Sequence, residues 1–206
     1  MIKKIEIQGV ISENTYFYID EKTQHGFVID PGAEGQKLYS IIKENGWIIE
    51  GIFITHGHFD HIGAVDELRQ KLSCKAYGYQ GGDQYLLHPH YNLSSFYGNP
   101  LVLENVFKLK EGDEISLSVN PSFSLKVLYT PGHTQDSCIY YNHEVAFVGD
   151  TLFKNGIGNT QFPGGDEKVL WKSLFEKVFS LPESLLVYPG HGEDTILKTE
   201  KNRYKV

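Results

Sequence analysis

Three histidines and an aspartate fall within seven residues in "THGHFDH" (55–61), directly after the apolar run "GIFI" (51–54). Imidazole nitrogens and carboxylate oxygens are donors that suit zinc, iron or manganese better than copper(I). His56 and His58 stand two apart, which in an extended segment turns both rings to one side. Asp60 and His61 fall where the chain enters the pattern Ile62, Val65, Leu68, Leu72, one face of a helix. A carboxylate near a helix N-terminus is favourable in any loop, which accounts for Asp60 but leaves three histidines without a role.

Three other places repeat the design. "KVLYTPGHT" presents His133, "EVAFVGDT" presents Asp150 and "LLVYPGHG" presents His191, each at the end of an apolar run that breaks at Gly or Pro. Five histidines and two aspartates exceed the four donors of one tetrahedral ion, so the expectation is two divalent metal ions sharing a carboxylate. Zinc comes first, with iron and manganese compatible. Two such ions against two carboxylates leave the site positive, a bias toward anionic transition states such as the oxyanion formed on attack at a carbonyl. No G-x-S-x-G elbow is present, in keeping with activated water as nucleophile.

The elements that must position these groups can be read coarsely. "KIEIQGV", "TYFYID" and "GFVID" suggest a small antiparallel sheet closed by "DPG" (30–32). A helix over 34–45 stops at Asn45-Gly46, "IIEGIFI" is a strand, a helix covers 62–72, and "CKAYGY" is a further strand. A second run of strands covers 106–109, 114–119, 123–129, 137–141 and 144–149, followed by a helix over 166–179 and a strand in 185–192. This order predicts an α/β fold of two packed sheets with helices outside. Pro89 to Glu104 fits no element and is either a lid or an irregular loop.

At 206 residues and 40% hydrophobic composition, one domain with a substantial core is expected. The formal charge of −7, without a basic cluster, argues against nucleic acid as partner. Two cysteines, Cys74 and Cys138, provide no disulfide framework and read as buried small hydrophobes. With no signal-peptide core and no stretch near ~20 apolar residues, a cytoplasmic protein without a membrane partner, acting on a small molecule, is expected. Oligomeric state is not legible. His25 and His143 sit beside turns and read as surface residues, and His88 and His90 as loop residues rather than a further metal site.

The run His56-Gly57-His58-Phe59-Asp60-His61, with His133, Asp150 and His191, resembles the metallo-β-lactamase fold superfamily and its H-x-H-x-D-H signature. The resemblance spans residues 55–192. It implies a four-layer αββα sandwich of two mixed β-sheets with outer helices. It further implies one ion on His56, His58 and His133, a second on Asp60, His61 and His191, and Asp150 between them. Asp150 and "GDTLFKNGIGNTQFPGG" (149–165) are similar to the glyoxalase II and persulfide dioxygenase branch, short bacterial glyoxalase II-like hydrolases above all.

That likeness implies hydrolysis of a thioester by water held between the ions, with Asp60 and Asp150 catalytic. Asn92 and Ser94 would line the substrate mouth. Asn159 stands where such proteins carry a basic residue for the thiol's carboxylate, and is assigned to substrate binding on that ground. Full-length glyoxalase II adds a helical C-terminal domain, whereas this chain ends fifteen residues after His191. Gln135-Asp136 replaces the usual small pair after the "GHT" turn, with Asp136 expected to tolerate a left-handed backbone. An oxygenase with a single iron on His56, His133 and Asp150, or hydrolysis of another ester or lactone, are the alternatives; His191 in an intact "PGHG" favours hydrolysis.

Overall fold

The computed structural model describes residues 1–205. Six strands form the first sheet in sequence order: β1 (Ile2–Gln8), β2 (Ser12–Ile19), β3 (His25–Ile29), β4 (Ile48–Phe53), β5 (Lys75–Tyr79) and β6 (Phe107–Leu109). β1 to β3 pair antiparallel, as the first thirty residues suggest, and every later step in this sheet is parallel. Parallel neighbours need crossovers. α1 (Gly35–Asn45) joins β3 to β4, while α2 (Phe59–Ile62) and α3 (Val65–Leu72) join β4 to β5. Residues 106–109, read with the second run of strands, thus close the first sheet instead: local pattern marks a strand but not its partner, and β6 pairs with β5 across an intervening stretch that holds α4 (Asp83–Leu86).

The second sheet also has six strands and is built from β7 (Glu114–Ser116), β8 (Ser124–Tyr129), β9 (Cys138–Tyr141) and β10 (Val145–Gly149). A hairpin of β11 (Leu152–Phe153) and β12 (Gly156–Ile157) and the helix α5 (Glu167–Glu176) follow, before β13 (Leu186–Pro189) and β14 (Thr195–Ile196) complete the order β14-β13-β10-β9-β8-β7. The chain then forms α6 (Leu197–Tyr204), which the sequence reading does not anticipate.

Alternation along the strands sorts apolar side chains into three cores. Phe17 and Ile19 of β2 face α1 and α3 with Leu38, Ile42, Val65 and Leu68. Tyr16 and Tyr18 face the second sheet, where Phe27, Phe53, Tyr140 and Phe147 fill the space between sheets. Ala146 and Val148 of β10 face outward to Leu170, Leu174 and Leu197. Helix, sheet, sheet, helix: the four layers follow from each sheet having two apolar faces to cover.

Local chemistry fixes the helix ends. α1 stops at Gly46, whose left-handed backbone (φ 68°) caps it at the expected place. Asp166 caps α5 by accepting from the N–H groups of Lys168 and Val169 at 2.9 and 3.1 Å. The single helix read over 62–72 is broken because the Ala64 N–H bonds to the Pro31 carbonyl (2.9 Å) rather than continuing the ladder. His25 is not a free surface residue: its ring bonds to Glu50 at 2.6 Å and is half-buried, while His143 is exposed. Cys138 is buried and Cys74 partly so, both free. No helix among the described residues is long and apolar enough to cross a membrane.

Phe147 is fully buried between the sheets, its ring centroid 5.4 Å from that of Tyr16 and 5.5 Å from that of Tyr188. Phe147→Ala is expected to lower unfolding stability by about 3–5 kcal/mol, measurable as a lower urea midpoint with an unchanged slope.

Candidate metal centre

The seven expected ligands converge where both sheets end. Beyond β4 the chain runs extended through His58 (φ −68°, ψ 148°) before α2 begins. The second sheet grips this segment: the Cys138 N–H donates to the Thr55 carbonyl and the Tyr140 hydroxyl to the Ile54 carbonyl, both at 2.9 Å. His56 Nε2, His58 Nδ1 and His133 Nε2 then form a triangle with edges of 3.1, 3.2 and 3.0 Å. Burial lowers the pKa of all three rings, and the neighbouring histidines lower those of His56 and His58 further, so they stay neutral.

Such a triangle cannot be satisfied by hydrogen bonds alone. His133 spends its one proton at Nδ1, donating to the Asn159 carbonyl (2.7 Å), so Nε2 offers a lone pair. His56 Nδ1 lies 3.2 Å from the Thr55 hydroxyl, which itself donates to Asp30; the ring must therefore donate there and also turn a lone pair inward. Lone pairs converging at about 3 Å repel unless a cation lies among them. Three donors at ~2.0–2.1 Å from one tetrahedral ion stand roughly 3.3 Å apart, close to what is seen.

Beside the triangle stands a second set. Asp60 Oδ2 is 3.4 Å from His191 Nε2 and 3.9 Å from His61 Nε2. Asp150 links the two sets, with Oδ2 3.4 Å from His191 Nε2 and 3.6 Å from His133 Nε2, and Oδ1 3.5 Å from His61 Nε2. Buried atoms without any hydrogen-bond partner include His61 Nε2 and Asp150 Oδ1, which mark a polar space built for something other than protein. The donor atoms of His56, His58 and His133, of His56, His61 and Asp150, and of Asp60, His61 and His191 each lie within 4.8 Å of one another. These groupings fit metal ions.

The field in this space favours positive charge. Burial works against ionised carboxylates, yet the charge on His61 and the His191 hydrogen bond outweigh it and hold Asp60 and Asp150 below their ordinary pKa. Conversely, burial would lower the pKa of His61 and His191, but the carboxylates win, raising His61 and pushing His191 up to about 11. A site that draws protons this strongly would draw a divalent cation in their place, releasing those protons.

Asp30 organises the interior of this centre, and the sequence reading passed over it as a turn residue. Its Oδ1 accepts from the Thr55 N–H at 2.7 Å; its Oδ2 accepts from the Thr55 hydroxyl at 2.6 Å and from His61 Nδ1 at 3.0 Å. One carboxylate thereby sets the ring orientation of His61 directly and of His56 through Thr55. The signal was available: "GFVIDPG" is another apolar strand ending in a ligand-type residue before Pro-Gly. Glu13, also overlooked, is fully buried 3.8 Å from His61 Nδ1, and burial with the nearby Asp30 charge holds its pKa well above the ordinary range.

His191 is fixed from the opposite sheet. Its Nδ1 donates to the Ser12 carbonyl (2.7 Å), and the Asn14 side-chain amide donates to the carbonyls of Pro189 (3.0 Å) and Gly192 (2.9 Å). A Cβ at Gly190 would lie 2.5 Å from both Asp150 Oδ1 and His61 Cε1, so no larger residue fits this approach.

Two further expectations, for Asn92 and Asp136, are corrected, and Ser94 and Asn159 are located. Asn92 does not line a substrate mouth: it is fully buried, donates to the carbonyls of Tyr85 (3.0 Å) and Leu101 (2.9 Å), accepts from the Ser94 N–H (3.0 Å), and so pins the irregular segment 89–104. Ser94 does line a cavity beside Asp60, although its hydroxyl also accepts from the Leu101 N–H (2.9 Å). Asn159 reaches the centre through its backbone, whose carbonyl orients His133, while its side-chain oxygen accepts from the Gln161 N–H (2.9 Å). Asp136 has no left-handed backbone; it is buried with Oδ1 unpartnered. Burial raises its pKa to about 7 against the Thr134 hydroxyl and Gly57 N–H, which favour the charged form. The Thr134 hydroxyl lies 2.6 Å from that of Ser137 and braces the turn after His133. His88 and His90 belong to no ligand cluster among the described residues.

Fold and donor set define a metal-binding α/β sandwich, and residues 9–191 match the Metallo-beta-lactamase superfamily. The chain belongs to that superfamily. It is 39% identical over 198 residues to the probable metallo-hydrolase YqgX of Bacillus subtilis, covering 95% of this chain and 92% of that one. It is 34% identical over 187 residues to the hydroxyacylglutathione hydrolase GloC of Haemophilus influenzae, covering 88% and 86% of the two chains. Among solved structures, the BLEG-1 B3 metallo-beta-lactamase superposes with a TM-score of 0.91 at 33% identity, over 98% of this chain and 97% of that one.

Two expected outcomes follow from the centre's inner supports. Asp30→Asn leaves shape but removes an acceptor shared by Thr55 and His61, and should weaken metal affinity by roughly 10–100-fold in a competition titration with a chelating dye. Asp136, raised from 3.8 to about 7 in the fold, contributes stability that is fully present below pH 3.8 and is lost as pH rises to 7. Asp136→Asn should therefore be the more stable form at pH 8, by up to about 4 kcal/mol, and lose that advantage near pH 4, as read from urea unfolding at matched metal content.

Proposed function

We propose that the chain is a dinuclear metal-dependent hydrolase of thioesters, with zinc as the first expectation for both ions. The observation that supports it is the shared position of Asp150, whose oxygens reach His133 of the first donor set and His61 and His191 of the second at 3.4–3.6 Å. One ion would rest on His56, His58 and His133, the other on Asp60, His61 and His191, with Asp150 serving both. Bound divalent ions supply Lewis acidity and water made nucleophilic at neutral pH.

The chain's own groups do the rest. Asp60 remains ionised despite burial and can accept a hydrogen bond from an attacking water, fixing its lone pair toward a carbonyl carbon. Backbone and side-chain acceptors hold each outer ring nitrogen of His56, His61, His133 and His191, so these rings do not rotate as charge develops. A thiolate leaving group is a weak base and needs no proton donor at the moment it departs. The resemblance to GloC, named for hydrolysis of hydroxyacylglutathione, supports the thioester class over esters or lactones.

His58→Ala and His61→Ala are each expected to lower hydrolysis of a lactoylated thiol by more than about a thousandfold while leaving the circular dichroism spectrum unchanged. Hydrolysis that survives both substitutions would exclude the proposal. Iron-dependent oxygen uptake with a thiol persulfide, in place of hydrolysis, would assign the centre to an oxygenase.

A further inference from the structure

Beside the metal centre lies a cavity of about 250 Å³. Its walls come from four separate places: the β1–β2 turn with Val10 and Ile11, the turn after β3 with Ala33, the α2 segment with Phe59, and the 94–101 loop with Tyr97 and Leu101. Asp60 lines it too, so the cavity adjoins the donor set at that residue. Glycines 9, 32 and 63 leave bare backbone in its wall; a Cβ at Gly32 would overlap the Asp60 carbonyl. Phe59 and Tyr97 pack ring to ring with centroids 4.9 Å apart at the rim.

No lining residue is basic, and the single charged one is Asp60, a member of the donor set. A carboxylate on the acyl chain would find no basic side chain in this wall to pair with. Polar side chains are a minority of the wall: Ser94, whose hydroxyl accepts from the Leu101 N–H, with Tyr97 and Asn99 exposed on the 94–101 loop, beside Asp60. Size is a second discriminator. An apolar cavity of roughly 150 Å³ encloses benzene, so 250 Å³ holds six or more carbon atoms, but it falls short of the ~300–1,000 Å³ that larger ligands occupy. Of the two halves of a thioester, the acyl chain fits and a peptide-sized thiol does not.

We propose that this cavity is the acyl subsite, selecting an uncharged apolar acyl chain of medium length over a short hydroxylated one. The inference rests on the thioester reading and deepens it. Val10 and Ile11 form the outer lip, Val10 being 66% exposed, and Ala33 with the three glycines sets the depth. Desolvating each added methylene in such a pocket stabilises the bound acyl group, and one methylene changes kcat/KM by roughly tenfold or more.

The test compares acetyl, butyryl, hexanoyl and lactoyl thioesters on one neutral thiol, N-acetylcysteamine, together with lactoylglutathione, using the metal-loaded full chain. kcat/KM is expected to rise from acetyl to hexanoyl and to exceed lactoyl by at least about tenfold. Ala33→Leu, which fills the floor, and Val10→Asp, which charges the exposed lip, should each lower the hexanoyl-to-acetyl ratio by about tenfold; the second covers the case in which the first fails to fold. Lactoylglutathione hydrolysed as well as or better than the hexanoyl ester, or ratios unmoved in both variants, would overturn the subsite while leaving thioester hydrolysis intact.

Independent of turnover, neutral hexanamide should shift the amide resonances of Gly9, Gly32 and Gly63, and lactamide should not. If no thioester is hydrolysed the proposed function fails, and the amide titration alone then decides the cavity: selective hexanamide shifts support an apolar pocket, and their absence overturns it.

Discussion

The carboxylate of Asp30 is the constraint on which the centre depends. It accepts three hydrogen bonds, two from Thr55 and one from His61, in a buried space where each is worth more than in water. Through Thr55 it governs His56, and so one inner group orients a ring from each of the two donor sets. Its own place is secured because the Asp30 N–H bonds to the Phe53 carbonyl at the end of β4, and its carbonyl accepts from the Thr15 hydroxyl at 2.9 Å. The ends of β3 and β4 are thereby tied to each other and to Thr15 within β2.

Convergence of seven candidate ligands from distant parts of the chain is a consequence of stacking two sheets whose strand ends coincide. The first sheet supplies "HGHFDH" after β4, and the second supplies His133, Asp150 and His191 after β8, β10 and β13. Contacts across the gap lock the two ends: Asn14 and Tyr16 of β2 hold the Pro189 carbonyl, and Tyr140 of β9 holds that of Ile54. The aromatic layer between sheets therefore does more than bury surface, since sliding one sheet over the other would pull the two donor sets apart.

Much of this was legible in the sequence because the ligands share one local grammar, an apolar strand broken by Gly or Pro just where a histidine or aspartate stands. His56, His58, Asp60, His61, His133, Asp150 and His191 all obey it, and the layered arrangement follows from strand and helix periodicity. What escaped has physical reasons. Asp30 obeys the same grammar but resembles any turn aspartate, and only three-dimensional proximity reveals its partners. Glu13 stands just before "TYFYID", between Ser12 and Asn14, where it reads as a turn residue and no motif marks it. Asn92 was misread because a polar residue in an irregular loop points equally well to ligand or to backbone; the loop's unpaired carbonyls claimed it. Residues 106–109 were recognised as a strand, yet pairing across long separation is invisible to local pattern.

The central claim is that these side chains grip two adjacent cations with Asp150 between them. Anomalous diffraction from crystals of the metal-loaded protein measures this most directly. Two peaks roughly 3.5–4 Å apart are predicted, one within reach of His56, His58 and His133 and the other of Asp60, His61 and His191, with Asp150 touching both. A single peak confined to the His56, His58 and His133 triangle, with His191 turned away, would contradict the account.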